Sequence, residues 1–141
     1  MSATAQVLRR TVTELDHVRI YNLLTRLYGS ATAPQAEELG DVIDNADVVR
    51  AQEVGPEIVT MYTKLRVADG PAAAERTITL VYPPDADAAQ GKISVLSPIG
   101  TALLGLSVGD VAHWAGVDGK ESSVEVRAID FQPEASGDYT A

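Results

Sequence analysis

The sequence predicts an α+β fold in which a helical hairpin precedes a β-sheet domain. Up to about residue 54, apolar residues follow the three-to-four-residue spacing of α-helices. Beyond Gly55 and Pro56 they alternate instead, and β-branched residues become frequent, which is typical of strands. Strands that follow helices, rather than alternate with them, indicate α+β. We therefore expect a helical hairpin over residues 1–54 and a sheet domain with one short helix over residues 55–141.

The N-terminal domain is expected to contain two helices. Helical spacing runs from Glu14 to Leu27, with Thr13 as the N-cap residue. The following turn, Tyr28 to Pro34, is rich in Gly, Ser, Thr and Pro, which end helices. A second helix is predicted from Gln35 to about Arg50. Because a short connection makes neighbouring helices reverse direction, we expect an antiparallel hairpin, in effect a short coiled coil.

The C-terminal domain is expected to be an antiparallel sheet carrying one short helix from Ile99 to Leu104. Ser97 would cap this helix, and Pro98 suits its first position. Asp118-Gly119 indicates a hairpin turn between the last two strands. The tail from Gln132 to Ala141 is polar and expected to be loose. The predicted strands are Ile58–Val67, Arg76–Tyr82, Lys92–Leu96, Val111–Ala115 and Ser123–Phe131.

Composition excludes several classes of function. The net charge of −9, from 20 acidic and 11 basic residues, disfavours direct binding to nucleic acids and to anionic membranes. The chain has no cysteine and no apolar run near the roughly 20 residues that span a bilayer, so we expect a cytoplasmic protein. No phosphate-binding, zinc-protease or nucleophile-elbow motif occurs. We therefore predict no catalytic residue, no metal site, no cofactor and no enzymatic activity.

The longest recognisable motif is GKISVLSPIGTALLGLSVGD, from Gly91 to Asp110. It resembles the C-terminal signature of the Gre transcription factors, and the flanking pieces Leu80–Pro83 and Phe131–Tyr139 look like the Rnk (regulator of nucleoside diphosphate kinase) branch of that family. The resemblance implies an FK506-binding-protein-like fold for the C-terminal domain and a coiled-coil hairpin before it. It also implies docking at the rim of the RNA polymerase secondary channel, with the hairpin directed inward.

The strand-to-helix turn of this motif meets the polymerase in the family. The resemblance therefore implies that Leu96, Ser97, Pro98 and Ile99 bind polymerase. A purely structural interpretation is open as well, because Ser97 and Pro98 also start the helix. Gre factors often carry a polar residue where this chain has Leu96, which could instead act as an apolar anchor.

Acidic residues at the hairpin tip of Gre factors help to hold a catalytic metal ion in the polymerase and promote transcript cleavage. Here the predicted tip contains no carboxylate. The acidic candidates are Glu37, Glu38, Asp41 and Asp44, of which the last two belong to the string GDVIDNAD, which resembles a Gre tip. If the second helix begins at Gln35, these side chains lie along the helix as a solvated face instead.

Three functions remain open from the sequence. We favour a monomeric factor that modulates or inhibits transcription at the secondary channel without stimulating cleavage. The first alternative is a cleavage-stimulating factor that uses Asp41 and Asp44. The second is a peptidyl-prolyl isomerase, by analogy of fold alone, for which an aromatic content of 5% is too low to line the usual pocket.

Overall fold

Ten helices and strands follow one another in the computed structural model, which describes residues 10–27, 33–69, 74–115 and 120–138. They form an α+β fold, as predicted. In chain order they are β1 (Thr11–Thr13), α1 (Glu14–Leu27), α2 (Ala33–Asp44), β2 (Asp47–Val49), β3 (Lys64–Ala68), β4 (Arg76–Val81), β5 (Lys92–Ser94), α3 (Pro98–Leu103), β6 (Val111–Ala115) and β7 (Glu121–Phe131).

The main sheet has the strand order β5-β4-β3-β7-β6. All of its neighbouring strands are antiparallel except β4 and β5, which run parallel with Thr79 opposite Lys92. The prediction of a wholly antiparallel sheet is therefore wrong at this edge. Between the two strands the chain makes two short 3-10 turns, Pro83–Asp85 and Ala88–Gln90, which carry it back along β4 before β5 begins. A tight hairpin would have reversed the direction of β5.

The predicted strand from Ile58 to Val67 begins six residues late, at Lys64. The preceding residues form a buried, irregular segment instead. Its turn is closed by Thr63, whose N–H donates to the Thr60 carbonyl oxygen (3.1 Å) and whose Oγ1 accepts from the Thr60 N–H (2.9 Å). Threonine hydroxyls offer the backbone such local partners in place of a strand ladder. Alternation of apolar and polar residues alone could not reveal this competition.

The second helix is shorter than predicted, because it ends at Asp44 rather than near Arg50. The next residues form β2, which pairs in parallel with β1, and Asp47 N–H donates to the Arg10 carbonyl oxygen (2.9 Å). Val48 and Val49 are β-branched and fit a strand better than a helix end. The pairing partner lies about 36 residues away in sequence, so helical spacing could not indicate it.

Helices α1 and α2 share the core of the sheet domain. Ile20 and Leu39 are completely buried and belong to the same apolar cluster as Leu65 in β3 and Leu103 in α3. The predicted connection between the helices falls largely on residues 28–32, which lie outside the described residues, so the antiparallel hairpin and the division at residue 54 stay predictions. The Asp118-Gly119 turn lies outside them too.

The first part of the C-terminal tail is packed rather than loose, contrary to the prediction. Gln132 Nε2 donates to the carbonyl oxygens of Gly55 and Ile58, both at 2.8 Å. Glu134 is 8% exposed, and its carboxylate accepts a hydrogen bond from Thr60 Oγ1 (2.8 Å). The tail therefore closes over the irregular segment that precedes β3, because its polar groups satisfy buried backbone and hydroxyl groups there.

Candidate functional site

The turn between β5 and α3 is held by hydrogen bonds from its own serines. Ser97 Oγ accepts from the Gly100 N–H (3.1 Å), which is the predicted N-cap, and donates to the Ser94 carbonyl oxygen (2.6 Å). Ser94 Oγ accepts from the Leu96 N–H (3.1 Å). Pro98 occupies the first helical turn, where its missing N–H costs nothing. The turn is thus preorganised in one conformation.

Gly100 is required for this conformation. A Cβ atom there would collide with the carbonyl oxygen of Ser94, so the close approach of α3 to the end of β5 depends on glycine. Thr101 Oγ1 also ties the helix to the strand by donating to the Val95 carbonyl oxygen (2.7 Å). The glycine at position 100 of the motif therefore has a packing reason of its own.

The four residues predicted to bind polymerase lie together on this turn. Pro98 is exposed, and Ser97 is half-buried. Leu96 and Ile99 are also half-buried and pack against the core cluster with part of their side chains. The turn therefore presents a small surface of one exposed proline flanked by two partly exposed aliphatic side chains.

Next to the turn, α1 and the segment after β4 enclose an open groove of about 870 Å³, here called the α1 groove. Leu96 connects the groove to the turn. Arg19, Leu23 and Arg26 line it at a spacing of four and three residues, which places them on one face of α1. The remaining lining residues are Asn22, Thr25, Tyr82, Pro83 and Pro84. The sequence indicated no such groove, because its two walls are distant in the chain.

A buried carboxylate anchors α1 beside the groove. Asp16 is 1% exposed; its N–H donates to Thr13 Oγ1, the predicted N-cap, and its Oδ2 accepts from the Met61 N–H, both at 3.1 Å. Its Oδ1 has no hydrogen-bond partner among the described residues. Burial raises the pKa of Asp16 to about 7, and the nearby Glu134 carboxylate adds to the rise. Nothing in the sequence singled out Asp16, because an acidic residue three positions after a helix cap is common in a first helical turn.

The opposite wall of the groove is braced by Tyr62. Its φ of 65° lies in the left-handed region, which bulky residues rarely adopt. Its N–H donates to the Leu80 carbonyl oxygen (2.6 Å), and its hydroxyl donates to Asp85 Oδ2 (2.7 Å). The Tyr62 and Tyr82 rings pack with centroids 5.7 Å apart. Burial and the bond to Asp85 raise the pKa of Tyr62 to about 12.

The acidic candidates lie along α2 as four exposed side chains: Glu37, Glu38, Asp41 and Asp44. Asp44 is the last residue of α2 and stands three residues before β2. With about 1.5 Å of rise per residue, Asp41 and Asp44 lie about 12 and 16 Å along the helix from Ala33. The structure therefore places both aspartates at the end of α2 that adjoins β1 and β2. The predicted tip, Tyr28 to Pro34, falls mostly outside the described residues.

Arg10 is a half-buried cation that the sequence did not single out. The Arg10 guanidinium donates to the carbonyl oxygens of Thr101, Ala102 and Leu104 at 2.9–3.2 Å and so closes the C-terminal end of α3. Burial lowers the pKa of Arg10, while Asp110 and Glu38 favour its charged form.

The described residues contain no group of three or more His, Cys, Asp or Glu side chains arranged to hold a metal ion. Within the same residues, no helix combines the length and the apolar character that a membrane span requires.

Comparison with protein families adds an independent observation. The family described as "Transcription elongation factor, GreA/GreB, C-term" matches residues 54–131, a range that begins next to Gly55 and ends at the last residue of β7. The match includes the β5–α3 turn and the Tyr82–Pro84 wall of the α1 groove.

Similar proteins extend the likeness to the N-terminal helices. The chain is 35% identical over 128 residues to the regulator of nucleoside diphosphate kinase of Escherichia coli K12, covering 91% of this chain and 93% of that protein. It is 35% identical over 92 residues to the transcription elongation factor GreA of Hyphomonas neptunium, covering 65% of this chain and 59% of that protein. A solved structure, the prokaryotic transcription elongation factor GreA/GreB from Nitrosomonas europaea, superposes with a TM-score of 0.73 at 35% identity, over 87% of this chain and all of that one.

Proposed function

The chain belongs to the GreA/GreB family of transcription factors, and on that premise we propose that it binds RNA polymerase at the rim of the secondary channel and modulates or inhibits transcription. The observation that carries the proposal is the β5–α3 turn. It lies in the segment that the family match covers, and it is built to present Pro98 at the surface. The protein acts as a regulatory binding factor, in the cytoplasm and as a monomer.

Preorganisation of the turn supports this role. Ser94 and Ser97 fix the backbone before any partner arrives, so binding loses little conformational entropy there. Leu96 and Ile99 supply apolar area on either side of Pro98 and can be desolvated together with it. A small rigid surface of this kind suits a docking contact rather than catalysis.

We further propose that the protein does not stimulate transcript cleavage. Carboxylates promote cleavage only where they can approach a magnesium ion within direct or single-water coordination. Asp41 and Asp44 instead lie far along α2 from Ala33, next to the β1–β2 pair. Glu37 and Glu38 are adjacent in sequence and point in different directions from the helix. The protein instead acts by occupying the channel, in competition with longer cleavage factors.

Binding to purified core RNA polymerase tests the proposal. Biolayer interferometry with immobilised polymerase should detect the wild-type chain at micromolar concentration. Pro98→Glu should weaken binding about tenfold or more, since it places an unpaired charge in the contact, while the helix retains its Ser97 cap. Ser97→Arg should also weaken binding. Absence of wild-type binding would overturn the proposal.

Thr77→Arg is the matched control for Ser97→Arg. Thr77 is exposed near the start of β4, and the substitution introduces the same charge. It should bind as wild type does. Thermal unfolding of each variant separates loss of the contact from loss of the fold. If both turn variants remain folded and bind as wild type does, the interface lies elsewhere on the chain.

A further inference from the structure

We propose that the α1 groove binds an acidic, partly apolar segment of RNA polymerase, so that α1 forms part of the docking surface together with the β5–α3 turn. This inference rests on the proposed function and deepens it. It assigns a second contact surface, on a different element of the fold, and states the chemistry of the polymerase segment that occupies it.

The charges of the α1 groove identify the chemistry of its occupant. Its lining contains two cations, Arg19 and Arg26, and no Asp or Glu among the described residues that line it. Elsewhere acidic residues dominate, since the whole chain carries 20 acidic against 11 basic residues. The arginines are seven residues apart on one helix face, about 10 Å along the axis. Cations that line a groove on an otherwise acidic protein favour a partner segment that carries carboxylates, and Asp85, next to the lining residue Pro84, is already bonded to the Tyr62 hydroxyl.

The remaining lining residues supply apolar contact area. Leu23 forms the floor on the α1 side, and Tyr82, Pro83 and Pro84 form the opposite wall. Pro84 is exposed, whereas Tyr82 and Pro83 are half-buried. An occupant that carried only carboxylates would leave the apolar surface of this wall in contact with water. The segment must therefore also carry apolar side chains.

Both walls of the groove are held in place by specific polar contacts. Asp16 fixes α1 by accepting from the Met61 N–H, and Tyr62 holds the opposite wall through its hydrogen bond to Asp85. Tyr62 does so with a backbone in the left-handed region, a conformation that persists only where the surrounding structure enforces it. A preformed groove loses little entropy when a segment binds.

The groove is continuous with the turn that carries the proposed function. Leu96 lines the groove and also belongs to the turn, where it precedes the cap residue Ser97. A partner that covers Pro98 is therefore only two residues along the chain from the end of the groove. Because the turn is proposed to contact polymerase, a segment of polymerase is the occupant that this proximity favours over an unrelated protein.

Charge reversal at Arg26 tests the inference. Arg26→Glu should weaken binding to core polymerase about tenfold or more and should reduce the dependence of affinity on salt, because an attractive pair is replaced by a repulsive one. Arg76→Glu is the matched control: Arg76 is exposed at the far end of β4 and pairs with Asp69 (3.6 Å). The control should bind within about twofold of wild type.

The two proposals fail in different ways in this experiment. If the wild type does not bind polymerase, the proposed function and the groove inference both fall. If the wild type binds, Pro98→Glu binds poorly and Arg26→Glu binds normally, only the groove inference is overturned. Equal losses in Arg26→Glu and Arg76→Glu would also overturn it, because the effect would then reflect net charge and not the groove.

Photo-cross-linking identifies the occupant directly. p-Benzoylphenylalanine introduced in place of Pro84 should cross-link, in the complex with core polymerase, to a polymerase peptide that contains both carboxylates and apolar residues. The same group in place of Thr77 should give no such product. A cross-link from position 84 to a basic segment, to nucleic acid or to a second copy of this chain overturns the inference, as does the absence of any cross-link in a complex that has formed.

Discussion

The carboxylate of Asp16 accepts a hydrogen bond from the backbone N–H of Met61 at 3.1 Å, a contact that spans 45 positions of sequence. It joins the first turn of α1 to the irregular segment before β3. Since Asp16 is almost fully buried and Met61 is buried as well, the bond forms away from water. This bond therefore helps to fix the orientation of α1 on the sheet domain, together with the apolar contacts of Ile20 and Leu23 in the core.

The protonation of Asp16 should make stability depend on pH. Its folded-state pKa of about 7 lies above the ordinary value of 3.8, so between these values the folded chain holds a proton that the unfolded chain releases. Its contribution to the free energy of unfolding is thus greatest below about pH 4 and declines as pH rises to about 7. Asp16→Asn imitates the protonated acid. Urea denaturation should show that the free energy of unfolding of the variant, relative to that of the wild type, rises by up to about 4 kcal/mol between pH 4 and pH 8.

Thr77→Val is the control for this titration, because Thr77 is exposed on β4 and the substitution changes no ionisable group. Its difference from wild type should stay nearly constant over the same pH range. A constant difference for Asp16→Asn as well would show that Asp16 titrates near its ordinary value in the folded protein.

Two glycine substitutions in helices should have opposite effects on stability. Gly100→Ala should destabilise the protein by about 1–3 kcal/mol, because the added Cβ meets the Ser94 carbonyl oxygen, a backbone atom that cannot move alone. Gly40→Ala should stabilise it by roughly 0.5–1 kcal/mol, since its Cβ would lie 3.6 Å from Leu24 Cδ1, an ordinary contact. Chemical denaturation of both variants measures the difference, and the same sign for both would contradict the close approach at Gly100.

Removal of the Thr60 hydroxyl should release the C-terminal tail. Thr60→Val leaves the buried Glu134 carboxylate without its 2.8 Å donor, and we expect a loss of about 1–3 kcal/mol in the free energy of unfolding. Hydrogen exchange of the Ser136 and Gly137 amides should accelerate. Thr77→Val, at an exposed position of β4, should change neither quantity. Unchanged exchange in Thr60→Val would mean that the tail is held without the bond between Thr60 and Glu134.

The protein should not raise the rate of transcript cleavage above the rate of the polymerase alone. A backtracked elongation complex with a labelled transcript and magnesium ions provides the measurement, and a genuine cleavage factor is the positive control. The expected result follows from the position of Asp41 and Asp44 at the β2 end of α2. Cleavage above the polymerase-only rate that disappears in Asp41→Ala/Asp44→Ala would show that the acidic string reaches the active site.

Local sequence signals were sufficient where an element depends on its own residues. The prediction of α1 from Glu14 to Leu27 is confirmed to the residue, and the Ser97 cap of α3 is confirmed by its bond to Gly100. The α+β class and the family followed from the change of periodicity near Gly55 and from the motif that ends at Asp110. Caps, helical spacing and turn residues act over a few positions, so a single sequence contains the information.

Tertiary structure alone decided the features that join distant parts of the chain. β2 is a strand and not a helix end because β1 offers it a ladder, and β5 runs parallel to β4 because of the path between them. The burial of Asp16, the left-handed backbone of Tyr62 and the α1 groove likewise arise where separate segments meet. Contacts across tens of residues leave no periodic trace in the sequence, because each partner is chosen by packing and by the hydrogen bonds that burial makes obligatory.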